Sequence, residues 1–212
     1  MTTVSNALES YLLHSKYEKN LSNLTIKAYK QDLNQFQYFT GSNLDIKELD
    51  KELIRKFLQY LFQLKLKETS IKRKLASVKV FLRYLEYEDL IQVSPFRKLN
   101  IRIKIPRKTP KFLSLHDVKM LFKASKTNCA VSHLYIENKP SECELDKKQF
   151  VNFQMLVIIE LLFATGIRVS ELCNLDVDDV DINKKVIRVL GKGSKERIIP
   201  VTHQETLRIL ET

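Results

Sequence analysis

Backbone breakers are scarce in this chain. It has four glycines and five prolines in 212 residues, and three of the glycines fall between 166 and 193. With so few Gly and so much Leu, Lys and Glu, a mostly helical protein is expected. Cysteine is nearly absent too. Cys129, Cys143 and Cys173 are an odd number without metal-ligand spacing, which argues against a disulfide framework and fits a reducing cytoplasm. Only Cys129 and Cys143 are candidates to pair. His116, His133 and His203 show no ligand spacing, so no metal site is expected. Long apolar runs are missing as well: Met155-Leu156-Val157-Ile158-Ile159 and Leu161-Leu162-Phe163 are parted by Glu160. That stretch reads as too short and too interrupted to cross a bilayer. Met1–Asn6 has neither a basic region nor an apolar stretch, so no secretory signal is expected.

Charge is present in excess and is uneven. The formal net charge is +11, which favours a polyanionic partner and says nothing about fold. Residues 1–110 carry 21 Lys and Arg against 11 Asp and Glu, and residues 111–212 carry 15 against 14. A basic N-terminal half beside a near-neutral C-terminal half reads as two units with different work.

The first hundred residues show four amphipathic periods, over Val4–Tyr17, Thr25–Phe39, Asp50–Leu64 and Ser70–Glu86. Short loops between them predict a compact four-helix bundle. The fourth segment has a basic polar side of Lys67, Lys72, Arg73, Lys74, Lys79 and Arg83. Such a face is either a solvated covering or a face that enters a DNA groove. Ser94-Pro95 is expected to end the helical unit. Residues 97–111 hold seven basic and no acidic side chains with two prolines, so an extended linker is expected. Its cations, Arg102, Lys104, Arg107 and Lys108 among them, suit a strap over a phosphate backbone.

From Phe112 a second unit is predicted. It opens with a short helix to about Lys123, capped by Ser114 with Asp117 three residues on. Residues 126–149 lack a period and read as a loop or insertion. Phe150–Phe163 reads as a buried core helix that Gly166 stops, and Val169–Leu175 as a short helix. Residues 176–181 form an acidic turn. Val186–Leu190 and Arg197–Val201 are β-runs joined by Gly191–Glu196 as a hairpin. His203–Leu210 begins a last helix.

Two motifs in this frame carry specific information: Ala164-Thr165-Gly166-Ile167-Arg168-Val169-Ser170-Glu171-Leu172, and Gly191-Lys192-Gly193-Ser194-Lys195-Glu196-Arg197-Ile198-Ile199-Pro200. In this order and spacing, with Val180-Asp181-Ile182-Asn183 between them, the chain resembles the tyrosine recombinase or phage integrase family, its Xer-like branch especially. The resemblance implies an N-terminal SAM-like core-binding domain at 1–96, a basic linker at 97–111 and the first half of a catalytic domain at 112–212. It implies Arg168 as the first catalytic arginine, gripping the scissile phosphate with its planar fork. Glu171 would be the supporting acid and Lys192 the general acid to the leaving 5′-oxygen, with Lys195 its rival for that role. Lys195 and Arg197 would touch the DNA backbone. The implied partners are double-stranded DNA and further recombinase protomers in a tetrameric synapse. No metal or other cofactor is implied, because cations stabilise the transition state.

The chain departs from the family after the hairpin. The family needs a His-x-x-Arg motif, a further His or Trp, and a nucleophilic tyrosine. His203 is followed by Gln204-Glu205-Thr206, and no tyrosine occurs beyond Tyr135. The expectation is therefore a fragment of a DNA breaking and rejoining enzyme, inactive alone. Two alternatives stay open. One is a non-catalytic DNA-binding protein that occupies recombination sites. The other is a regulator that uses the helical bundle for protein contacts.

Overall fold

The computed structural model describes residues 2–106, 109–128, 147–191, 193 and 195–211. It divides into two compact units, Met1–Thr109 and Pro110–Thr212.

The N-terminal unit is built from α1 (Val4–Tyr17), α2 (Asn23–Thr40), α3 (Lys51–Gln63) and α4 (Glu68–Tyr87). Three of these helices start on a side-chain cap. Thr3 accepts the Asn6 N–H, Ser22 the Thr25 N–H and Asp50 the Leu53 N–H, each supplying a partner to an otherwise orphaned donor. Asn20, Lys65 and Asp89 take left-handed backbone just beyond α1, α3 and α4, which turns the chain out of the helix. The apolar faces meet in one core. Phe36, Phe57 and Phe81 are fully buried in it, and each contributes about 2–3 kcal/mol of burial. Phe36 and Phe57 pack edge to face at 5.0 Å.

The helical unit does not end at Ser94-Pro95. A 3-10 turn at Pro95–Lys98 follows, with the Ser94 N–H donated to Glu86 Oε1 at 3.1 Å. Phe96, Leu99, Ile101 and Ile103 then pack on the helical core. The first part of the expected linker is thus seated by alternate apolar side chains, while Arg102 and Lys104 on either side of Ile103 are exposed.

The C-terminal unit contains α5 (Leu115–Asn128), α6 (Lys147–Thr165), α7 (Val169–Leu172), β1 (Val180–Asp181), β2 (Val186–Leu190), β3 (Glu196–Pro200) and α8 (Gln204–Glu211). Helix α5 runs further than expected, into the segment read as an insertion. Residues 129–146, with Cys129, His133 and Cys143, lie outside the described residues. The acidic turn is more structured than its composition suggests. A 3-10 turn at Val177–Asp179 leads into β1, which adds a third antiparallel strand to the hairpin in the order β1-β2-β3. In β2, Ile187 and Val189 point inward and are buried, while Arg188 and Leu190 point out. With Leu161, Ile167, Val201 and Leu207 they form the core of this unit.

Helix α6 corrects the reading of a wholly buried helix. Leu156, Glu160 and Leu161 are buried, but Phe150, Val151, Met155 and Phe163 are exposed. At 19 residues it is also longer than the apolar run. By length and composition alone it could cross a membrane, yet it packs against α5 and α8 within this unit. Its carboxylate is placed by that packing: Glu160 Oε2 accepts the Thr206 hydroxyl of α8 at 3.2 Å.

Candidate functional site

Four hydrogen bonds in the C-terminal unit converge on the Glu171 carboxylate. Helix α6 ends where Gly166 adopts φ +63 and donates its N–H to Leu162 O at 3.0 Å. That backbone suits glycine and redirects the chain. Arg168 follows in extended backbone as the N-cap of α7. Glu171 lies three residues on, so one turn brings its side chain back over the cap. Its Oε2 accepts the Arg168 backbone N–H and its Oε1 the Arg168 Nη1–H, both at 2.8 Å. From β3, Arg197 donates Nη1 to Oε1 and Nη2 to Oε2, both at 2.9 Å. This planar fork-on-carboxylate geometry is the strong form of an ion pair.

The Glu171 side chain is 5% exposed, while that of Arg168 is 72% exposed. The Arg197 hydrogen bonds, then the Arg168 backbone N–H, hold the Glu171 carboxyl far below the usual carboxylate range. Reciprocally, Glu171 pushes the Arg197 guanidinium up. The acid is therefore a fixed anion that orients two arginines and gives no proton. Arg168 keeps the rest of its fork open to solvent.

Gly191 makes room for the clamp. A Cβ there would stand 3.3 Å from Arg197 Nη1 and from the Lys195 carbonyl oxygen, the same oxygen that accepts the Gly191 N–H at 2.8 Å. Lys195 is exposed on the turn into β3. Lys192 lies outside the described residues. On the other side of β2, Arg188 Nε donates to Asp179 Oδ1 at 3.1 Å and ties the sheet to the 3-10 turn.

The structure thus brings Arg168, Glu171 and Arg197 together. Arg197, expected as a contact to the DNA backbone, gives one N–H from each terminal nitrogen to Glu171 and keeps its side chain 40% exposed. Chain spacing could not show this, because the pair is 26 residues apart.

In the N-terminal unit, Lys72, Arg73, Lys79 and Arg83 are exposed on α4, and Lys67 is exposed as its N-cap. Lys74 is a correction. It is 8% exposed, and its ammonium lies 3.2 Å from Asp32 Oδ1 inside the bundle. Asp32 is fully buried and also accepts from Arg73 Nη1 and from the Ser77 hydroxyl. The signal was in the sequence: position 74 falls with Ile71, Leu75 and Val78 on the apolar side of the helical period. Arg107 and Lys108 lie outside the described residues. Among the described residues, no group of three or more His, Cys, Asp or Glu is arranged to hold a metal ion.

Comparison with known proteins agrees with this architecture. Residues 8–89 match the family model of the phage integrase N-terminal SAM-like domain, and residues 111–212 match the phage integrase family. A tyrosine recombinase of Agathobacter rectalis is 37% identical over the whole chain, which covers 65% of that protein. Tyrosine recombinase XerC of Thermodesulfovibrio yellowstonii is 35% identical over 95% of the chain, covering 59% of its own length. The chain thus spans less than two thirds of these relatives. Among solved structures, the Tn1549 transposon integrase in complex with circular intermediate DNA aligns over the whole chain with a TM-score of 0.68 at 18% identity, covering 64% of that protein. A lambda integrase tetramer bound to a Holliday junction aligns over 98% of the chain, also with a TM-score of 0.68, at 16% identity and 53% coverage of its own chain. Helical bundle, basic α4, arginine-bearing α6–α7 corner and hairpin all fall within the matched segments, and the chain belongs to the phage integrase family of tyrosine recombinases.

Proposed function

We propose that this chain binds double-stranded DNA and supplies the phosphate-gripping half of a site-specific recombination centre. The observation that carries the reading is the shared carboxylate. Glu171 fixes Arg168 at its backbone and at one Nη while most of that side chain stays in solvent. A guanidinium held this way meets two non-bridging oxygens of a phosphodiester without a reorganisation cost. In the parent reaction, a tyrosine oxygen attacks phosphorus and the 5′-oxygen leaves with a proton. Lys192 on the hairpin is the proposed donor of that proton, with Lys195 its rival. Arg168 stabilises the charge on the pentavalent phosphorus.

Sequence-independent affinity comes from Lys67, Lys72, Arg73, Lys79 and Arg83 of the bundle and from Arg102, Lys104, Arg107 and Lys108 of the strap. Two integrases of the same fold, those of Tn1549 and lambda, are seen bound to DNA, which supports DNA as the partner. The protein acts in the cytoplasm and assembles with further recombinase protomers.

The 212-residue polypeptide holds no tyrosine after Tyr135 and no His-x-x-Arg after the hairpin. Taken alone, these 212 residues bind without cutting. Two measurements test the proposal. Duplex binding should weaken steeply with salt, and a nicked suicide substrate should give no covalent adduct. Salt-insensitive binding would count against the basic interface. A recovered adduct would show that this polypeptide carries its own nucleophile.

A further inference from the structure

We infer that the N-terminal unit carries a stacking pocket for one unpaired nucleobase at the far end of its basic α4 ridge. The inference rests on the DNA-binding reading above and goes beyond backbone contact.

A hollow of about 360 Å³ opens between α1, α2 and α4. Its walls are rings already packed on one another. Tyr11 lies 5.3 Å from Tyr84 and 5.9 Å from Tyr29, and His14 lies 4.8 Å from Tyr84, centroid to centroid. Tyr87 completes the lining and is 78% exposed, so its ring does nothing for the helical core. Burial pushes the Tyr11 hydroxyl up. Burial, then the Glu88 and Glu18 carboxylates, push up that of Tyr84. Both stay neutral donors. His14 Nδ1 is buried and lies 3.0 Å from Glu18 Oε2, one helical turn on.

The hollow is joined to the charged ridge by Arg83. This residue follows Lys72 and Lys79 along the exposed side of α4 and lines both the aromatic hollow and its neighbour, which Lys79 and Arg97 also line. Lys19 stands at the aromatic hollow from the connection between α1 and α2. Two carboxylates, Glu18 and Glu88, stand near Tyr84 as well, so a guest's phosphate is favoured only on the Arg83 side, where the cationic ridge begins. Aromatic walls favour a flat guest, and stacking on them accepts any base. A paired base cannot reach the hollow from inside a duplex, so the guest is an unpaired or extruded one. Its sugar-phosphate would meet Arg83.

The chain has no tryptophan and eight tyrosines, of which Tyr11, Tyr29, Tyr84 and Tyr87 line the hollow, so the part of the tyrosine emission that Tyr87→Ala removes reports on these walls. The test uses the full 212-residue chain and three duplexes of one sequence. One is blunt, one carries a single extrahelical thymidine, and one carries an abasic residue at that point. The extrahelical base should raise affinity about tenfold over the abasic site and quench tyrosine emission. Tyr87→Ala should remove most of that gain and leave blunt-duplex affinity unchanged, and Tyr84→Leu should do the same from the inner wall. Equal affinity for all three duplexes would overturn the pocket while leaving duplex binding intact. A gain that survives both substitutions would overturn it too. If no duplex binds, the DNA reading falls and thymidine monophosphate judges the pocket. Saturable quenching that Tyr87→Ala abolishes would support it, and its absence would overturn it.

Discussion

Arg197 and Glu171 face each other as a bidentate pair, Nη1 on Oε1 and Nη2 on Oε2, both at 2.9 Å. The pair joins β3 to the first turn of α7. Because Arg168 hangs on the same carboxylate, the strand end and the helix corner are oriented together. A disturbance of the hairpin is therefore transmitted to the Arg168 guanidinium. Arg197 acts through Glu171, and its exchange for Lys would keep a charge while losing the fork.

The first prediction is an acid limb in stability. The Glu171 carboxyl is held below its ordinary value of 4.5, chiefly by Arg197. A depressed acid contributes its stability above the unfolded value and loses it as pH falls toward the folded one. Arg197 stays charged throughout. Stability should thus be flat from neutrality to about pH 5 and fall below it. Glu171→Gln should start lower and show a shallower fall, read as urea midpoints across that range. The slope should not vanish, because Asp117, Asp179, Asp181 and Glu205 are also held down, by Ser114, the Asp176 N–H, Lys184 and Lys126 in turn. A slope unchanged in Glu171→Gln would contradict the clamp.

The second prediction concerns Asp32. Its buried carboxylate serves Arg73, Lys74 and Ser77 at once. Asp32→Ala strands the Lys74 ammonium in the bundle and should cost about 3 kcal/mol or more. Replacing both partners together, as Asp32→Leu with Lys74→Met, should cost far less than the single change. Urea unfolding followed by helical circular dichroism measures both. A double variant no better than Asp32→Ala would mean the network holds the bundle by other contacts.

The third prediction separates two lysines of one helix. Lys79 is exposed on α4 and Lys74 is buried. Lys79→Ala should weaken duplex binding and reduce the slope of log affinity against log salt by about 0.9. Lys74→Met should lower stability and leave that slope in place. Equal slopes in both variants would mean the exposed side of α4 does not meet phosphate.

Much of this was legible in the sequence, for local reasons. The bounds of α1 and β2 coincide with the helical period read at Val4–Tyr17 and the β-run read at Val186–Leu190. The motif around Arg168 names its own partner, because Glu171 lies one helical turn away. What was hidden depends on contacts between distant positions. Arg197 reads as a hairpin cation until the sheet carries it to Glu171. The period of α4 marks Lys74 as inward, but its partner Asp32 becomes evident only when α2 and α4 meet. Strand β1 is two residues long, too short for any period. Glu160 reads as an interruption in an apolar run, although a charge flanked by buried Leu156 and Leu161 was itself a sign of a buried partner, here Thr206.

The last prediction follows from the two sides of α6. A helix covering a soluble core needs one apolar side. Here Leu156 and Leu161 are buried on one side while Phe150, Val151 and Met155 are more than half exposed on the other. An exposed apolar face of this kind marks a surface that another element covers. The chain should therefore bind a hydrophobic dye in its folded state. Val151→Glu combined with Met155→Lys should lower dye binding and raise solubility. Because both side chains already meet water, the melting temperature should hardly move, within about 0.5 kcal/mol of stability per site. A large loss of stability would show the two side chains packed inside the unit, and undiminished dye binding would place the sticky surface elsewhere.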